Sequence, residues 1–263
     1  MNKIFIFLSM MCLASVINAQ TMHTVIFVNT QENTTWGGNR TVDRTADYNN
    51  MKQFFSSIAT AIGYTNDMRA HGLQQDFNKT MIDREIDNLR VGPEDIVVFY
   101  YSGHGGNLEQ DKWPHLQLQS GLYWQSDIVK KLNSQCANAK LIICIADCCN
   151  NTAENGIPGS YNPRESSYLK QLFTNFSEKT TIVMSASIQG QVSYSHRQYG
   201  AYFGNCLRIA IAEKTANSNS QAPTWQDIFL CTKLLTLRVT KQAQEPQFLM
   251  YNRRGLSPRG SFD

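Results

Sequence analysis

Two short segments carry side chains able to do nucleophilic chemistry. Tyr101-Ser102-Gly103-His104-Gly105-Gly106 sets an imidazole among small residues, and Asp147-Cys148-Cys149-Asn150 sets two adjacent thiols behind a carboxylate. Near neutral pH a cysteine is mostly protonated while the thiolate is the attacking species, so an imidazole that takes the proton or stabilises the anion makes the sulfur reactive. Glycine beside the histidine lets a backbone amide approach a substrate carbonyl. The Gly105 amide, together with that of the attacking cysteine, would form an oxyanion hole. At this level either Cys148 or Cys149 could supply the sulfur.

Both segments follow apolar runs rich in β-branched and aromatic residues, at 96–101 and 141–146, which read as buried strands. Similar runs occur at 24–29, 181–186 and 247–251. A weaker strand is placed at 67–71, because two helices would otherwise follow each other without a return strand. Helical spacing appears between them: Met51, Phe54, Phe55, Ile58, Ile62; then Met81, Ile82, Ile86, Leu89; then Trp124, Ile128, Val129, Leu132. Residues 166–176, 201–213 and 225–238 also read as helical, and 156–163 as a loop rich in Gly, Pro, Ser and Asn. Asp47 precedes the apolar face of the first long helix, where its carboxylate could cap exposed amides. Strands alternating with helices predict a three-layer α/β/α sandwich with a mostly parallel sheet of about six strands. Ligands of such sheets sit outside the carboxyl ends of the strands, where His104 and the thiols fall. If the two strands are neighbours, the imidazole and a sulfur meet at one edge.

The remaining sequence narrows the function class. Lys3, an apolar stretch over 4–17 and Ala19 before Gln20 read as a secretory signal peptide, leaving residues 20–263 as one exported domain, periplasmic or secreted. The apolar stretch is shorter than the roughly 20 residues a membrane span needs, so no membrane anchor is expected. Basic and acidic residues nearly balance, 24 against 21, and the basic ones are dispersed, which argues against nucleic acid. Cys136, Cys144, Cys148, Cys149, Cys206 and Cys231 are too few and too irregularly spaced for a disulfide scaffold. Zinc held by His104, Cys144, Cys148 and Cys149 would need adjacent cysteines on one tetrahedral ion, a poor arrangement, and no dense set of oxygen ligands suggests calcium. No metal or other cofactor is expected. His71 and His115 read as surface or loop histidines; Trp113, Trp124, Tyr100 and Tyr101 read as packing residues. Residues 253–263 read as a surface tail.

The ordered pair of motifs resembles the His and Cys motifs of the caspase and metacaspase cysteine peptidases, as an exported bacterial-type member. The resemblance extends to Asp47-Tyr48-Asn49-Asn50-Met51, similar to the family's Asp-x-x-Asn-apolar segment at the head of the first helix, and to Pro246-Gln247 before the last strand. It spans residues 24–251, and departs after the thiols, where Asn150-Asn151-Thr152 replaces the metacaspase His-Ser-Gly. The family pattern Asp-x-Cys selects Cys149 as nucleophile and leaves Cys148 as a buried apolar residue. The resemblance further implies that Asp47 and Asp147 face the S1 pocket, where two carboxylates favour a cationic guest and cleavage after Arg or Lys. Caspases that cut after Asp need arginines there, and the 191–195 loop with Ser193 supplies none, although Arg197 follows closely. Ser185 and Ser193 are candidate pocket residues. Protein or peptide substrates with a basic P1 residue and a monomeric enzyme are expected, with Arg164, Lys170 or Lys179 as sites of self-cleavage. The competing reading is a catalytically silent adaptor on the same fold, against which the intact His104 and Cys149 weigh.

Overall fold

A computed structural model describes residues 20–30, 41–107, 111–149, 162–196, 199–216 and 221–252. The chain runs β1 (Thr21–Val28), α1 (Thr41–Ile62), β2 (Thr65–His71), α2 (Lys79–Asp87) and β3 (Ile96–Gly103). A small hairpin layer follows, made of β4 (Gly105–Gly106), β5 (His115–Leu118) and β6 (Gly121–Trp124), and leads into α3 (Gln125–Gln135) and β7 (Leu141–Cys148). Then come α4 (Ser167–Thr174), β8 (Thr180–Ser185), the two-residue strands β9 (Ser195–His196) and β10 (Gly200–Ala201), α5 (Tyr202–Lys214), α6 (Trp225–Val239) and β11 (Gln247–Asn252).

The main sheet has the order β11-β8-β7-β3-β1-β2, parallel except for β11. Its central strands are buried on both faces, which explains their unbroken apolar runs. Alternate residues feed two separate cores. Ile96, Val98, Tyr100, Ile143 and Ile145 pack with α1, α4, α5 and α6; Val97, Phe99, Tyr101, Ile142 and Cys144 pack with α2, α3 and the hairpin layer. Each fully buried side chain of this kind contributes about 1.5–3 kcal/mol. Helix starts follow side-chain chemistry: Asn78 and Ser166 accept from the amides of Met81 and Leu169, and Thr224 with Asp227 forms a capping box on α6. Among the described residues no helix is long and apolar enough to cross a membrane.

Three expectations need correction. Asp47 does not stand before α1; the helix begins at Thr41, so Asp47 lies inside it and aims its carboxylate at the sheet instead of capping. The turns before Met51 carry few apolar residues, so the helical period becomes visible only where burial begins. His115 is buried, 7% exposed, with its ring edge-on to Trp124, not a surface histidine. Finally, β4, β5 and β6 form a layer the sequence reading lacked, because strands of two to four residues are too short to show alternation. The weaker strand at 67–71 is present as β2. The signal peptide, Arg197, the tail at 253–263 and residues 156–161 of the expected loop lie outside the described residues.

Candidate active site

β3 and β7 are neighbours in parallel register, with Ser102 opposite Asp147 and Gly103 opposite Cys148. His104 and Cys149 are therefore the first residues past the same edge of adjacent strands. Paired residues of parallel strands share a face. Cys144 and Cys148 belong to the α2/α3 side, whereas Asp147 turns to the α1/α5 side, and the alternation places Cys149 with Asp147. Contacts agree: the Cys149 thiol donates to the Ser193 carbonyl at 3.4 Å, and the Ser193 hydroxyl donates to Asp147 Oδ1 at 3.4 Å. Cys148 is buried, and desolvation first, then the nearby Cys149 and Asp147, push its thiol well above the ordinary range. His104 and Cys149 are only half-buried.

The backbone around His104 is fixed from below. Its carbonyl accepts from the Tyr101 hydroxyl at 2.7 Å and from the Gln117 amide at 2.9 Å. The second bond, with Gly106 opposite His115, makes Gly105 and Leu116 a non-hydrogen-bonded pair, so the Gly105 amide turns away from β5. Only glycine fits here: a Cβ at Gly105 would lie 2.7 Å from the His115 carbonyl and 2.9 Å from Cys148 Cβ. The buried Cys148 is thus the floor on which the histidine loop rests.

Beside the thiol lies a buried acid pair. Tyr100 divides one phenolic proton between Asp47 Oδ2 at 2.9 Å and Asp147 Oδ2 at 3.2 Å. Asp147 also accepts from the Gly204 amide in the first turn of α5 at 2.9 Å. Burial, with Asp47 alongside, pushes the Asp147 carboxyl well above its ordinary value. Burial also raises Asp47, opposed by hydrogen bonds from Ser102 and Tyr100 and by the charges of Arg208 and Arg44. Arg208 is itself 1% exposed. The helix approaches closely through Gly200, which has φ +81° and whose Cβ would stand 2.8 Å from Asp47 Cα. Asn50 and Asn205 both donate to the Tyr199 carbonyl, at 3.2 and 2.6 Å, and hold that approach in place.

The caspase domain family model matches residues 26–254. The chain belongs to the caspase domain family. Caspase-1 from Spodoptera frugiperda has a similar structure, at a TM-score of 0.56 and 12% identity, covering 88% of this chain and 89% of that one. A protein from Geobacter sulfurreducens matches at a TM-score of 0.47 and 13% identity, over 89% and 93%. No curated protein sequence matches. The six-stranded sheet flanked by helices is the caspase-like α/β fold, and members of the family are cysteine-type peptidases acting on protein substrates.

Within this caspase-domain chain, Asp47, Asp147, Ser193 and Cys149 converge on one side of the sheet, and His104 and Gly105 lie at the adjoining strand end. Ser185 does not join them. It sits between Met184 and Ala186 of the α1-side core and so faces the other way, donating to the Ser187 carbonyl and accepting from Gln247 Nε2 at 2.8 Å. Tyr100 is buried as packing residues are, yet its hydroxyl joins the acid pair. Sequence reasoning missed that role, although Tyr100 stands two residues before Ser102 on the face Asp147 occupies. Gly204 and Arg208 gave no sequence signal, since they arrive from a helix distant in the chain. All described cysteines are free thiols; burial pushes Cys144 up to about 12 and Cys136 and Cys206 to about 11. Among the described residues no cluster of His, Cys, Asp or Glu is arranged to hold a metal. Of the expected self-cleavage positions, Lys170 lies inside α4 and Lys179 donates to the carbonyls of Asn133 and Cys136, while Arg164 is exposed and outside any regular element.

Proposed function

We propose that the chain is an exported cysteine endopeptidase that uses a His104–Cys149 dyad and cleaves after Arg or Lys. The observation that carries this reading is the β3/β7 register, which sets residues 104 and 149 at one edge, beside the buried acid pair. In the reaction His104 accepts the Cys149 proton, and the sulfur attacks the scissile carbonyl carbon. The Gly105 and Cys149 amides receive the negative oxygen. Protonated His104 then donates to the leaving amine, and water releases the acyl group from the sulfur with His104 again as base.

The acid pair supports the basic preference. Two carboxylates held close together and out of water retain protons at pH values where exposed acids have lost them, and a guest guanidinium or ammonium can replace that positive charge. One chain supplies every residue of the proposed site, in keeping with a monomer. The leader over residues 1–19 directs the protein out of the cytoplasm, and Arg164 is the favoured self-cleavage position. Fluorogenic peptides ending in Arg, Lys and Asp, tested on wild type, Cys148→Ala and Cys149→Ala, examine the reading. Turnover of Arg or Lys peptides that survives at Cys148→Ala and vanishes at Cys149→Ala is expected; turnover confined to Asp peptides contradicts the specificity, and activity in Cys149→Ala contradicts the dyad.

A further inference from the structure

The thiol of Cys149 donates to the carbonyl of the Ser193–Tyr194 peptide group. The amide of that same peptide points the opposite way, as a trans peptide requires, and donates to Gln244 Oε1 at 2.9 Å. The other end of the Gln244 carboxamide, Nε2, donates to the Ala186 carbonyl at 2.9 Å. One side chain thereby spans the mouth of the loop between the end of β8 and β9. This loop has no ladder of its own: it turns through Gly190 at φ +82° and is tied to the 244–247 segment by Ile188 to Glu245 at 2.7 Å and Glu245 to Gln191 at 2.6 Å.

Gln244 is 0% exposed, and its backbone amide is held by Thr240 Oγ1 at 3.1 Å. Thr240 in turn caps the end of α6, where Lys241 and Gln242 adopt positive φ and turn the chain back toward the site. The Tyr194 carbonyl is fixed as well, by the Tyr202 amide at 3.0 Å. Ser193 therefore holds Cys149 through its carbonyl and Asp147 through its hydroxyl only while the peptide plane keeps its tilt. The bond that sets this tilt from behind is the one to Gln244. A carboxamide suits the task, because it must accept at one end and donate at the other.

Resting on the proposed dyad and basic pocket, we infer that Gln244 is a positioning residue that fixes the wall of the substrate pocket, Ser193, against Cys149 and Asp147. It touches neither sulfur nor substrate: its loss acts through Ser193, chiefly on the pocket wall and only weakly on the thiol, whose proton His104 still takes.

The test compares wild type, Gln244→Met and Gln244→Glu, with Cys149→Ala as reference, in peptide turnover and in alkylation of Cys149 by iodoacetamide. Met keeps the volume and removes both bonds; a KM for Arg peptides raised at least about tenfold is expected, with kcat less affected and the alkylation rate within about twofold. Glu keeps the acceptor but opposes a carboxylate to the Ala186 carbonyl, so its KM relative to wild type should fall toward one as pH drops from about 8.5 to about 5 and the buried acid regains a donor proton. This acid rescue remains readable if the Met variant does not fold. An unchanged KM in Gln244→Met, a flat KM ratio across pH in Gln244→Glu, or equal losses of kcat, alkylation and thermal midpoint would each overturn the inference. Those results beside an active wild type and a dead Cys149→Ala overturn it alone, whereas a wild type that turns over no peptide, or an active Cys149→Ala, removes the functional reading beneath it.

Discussion

Adjacent in sequence, Cys148 and Cys149 point to opposite sides of the sheet, and that one-residue parity decides which sulfur lies on the side of Asp147. Replacing Cys148 by Ala removes a buried sulfur from beneath Gly105, so it should lower unfolding free energy by about 1 kcal/mol in urea titrations while leaving turnover within about fivefold. The acid pair makes a second prediction whose sign follows from its shifts. The carboxyls of Asp47 and Asp147 are raised in the folded chain, so folding takes up protons there. Their contribution to stability is fully present below the unfolded value near 3.8 and is lost as pH rises through the folded values. Asp147→Asn should therefore gain stability over wild type at pH 8 relative to pH 4, measured by denaturant melts, while turnover of Arg peptides falls about a hundredfold. In the wild type, KM for Arg peptides should fall with rising pH, because protons compete with the cationic side chain for the pair. The acids themselves were legible in the sequence, Asp147 from its place two residues before the thiol. Their bridge, Tyr100, was not, since an apolar strand gives no sign that one of its aromatic hydroxyls meets two carboxylates.

The elements divide the same way. The long strands and helices were readable because each carries a full period of burial: β3 and β7 as unbroken apolar runs, α1 through Met51, Phe54, Phe55, Ile58 and Ile62. The pieces that shape the site were not. The hairpin that orients Gly105, the β9–β10 ribbon and the first turns of α1 are too short or too polar for a periodic signal, and their positions are set by contacts far apart in sequence. Gly105 and Gly200 mark two places where such pieces press closely against the scaffold. Gly105→Ala should lower turnover about a hundredfold or more, because the hairpin must move off Cys148 and carry the proposed oxyanion donor with it. Gly200→Ala adds a side chain at positive φ against Asp47, and a loss of about 2 kcal/mol in thermal or chemical unfolding is expected.

Across the whole molecule, strand order carries the functional argument. Only because β3 and β7 are neighbours does a histidine motif meet a cysteine motif that lies more than forty residues further on; α1 and α5 then close the same side with Asp47 and Gly204. Family membership and fold follow from the match over residues 26–254 and from the sheet, and leave open which sulfur reacts and what it recognises. The most direct test of the dyad and its pocket is to react the protein with a peptidyl electrophile ending in Arg and to map the adduct by mass spectrometry in wild type and His104→Ala. One adduct per chain on Cys149, formed far more slowly without the imidazole, is the expected result. Labelling at Cys148, or labelling of Cys149 at the same rate in both proteins, would contradict it.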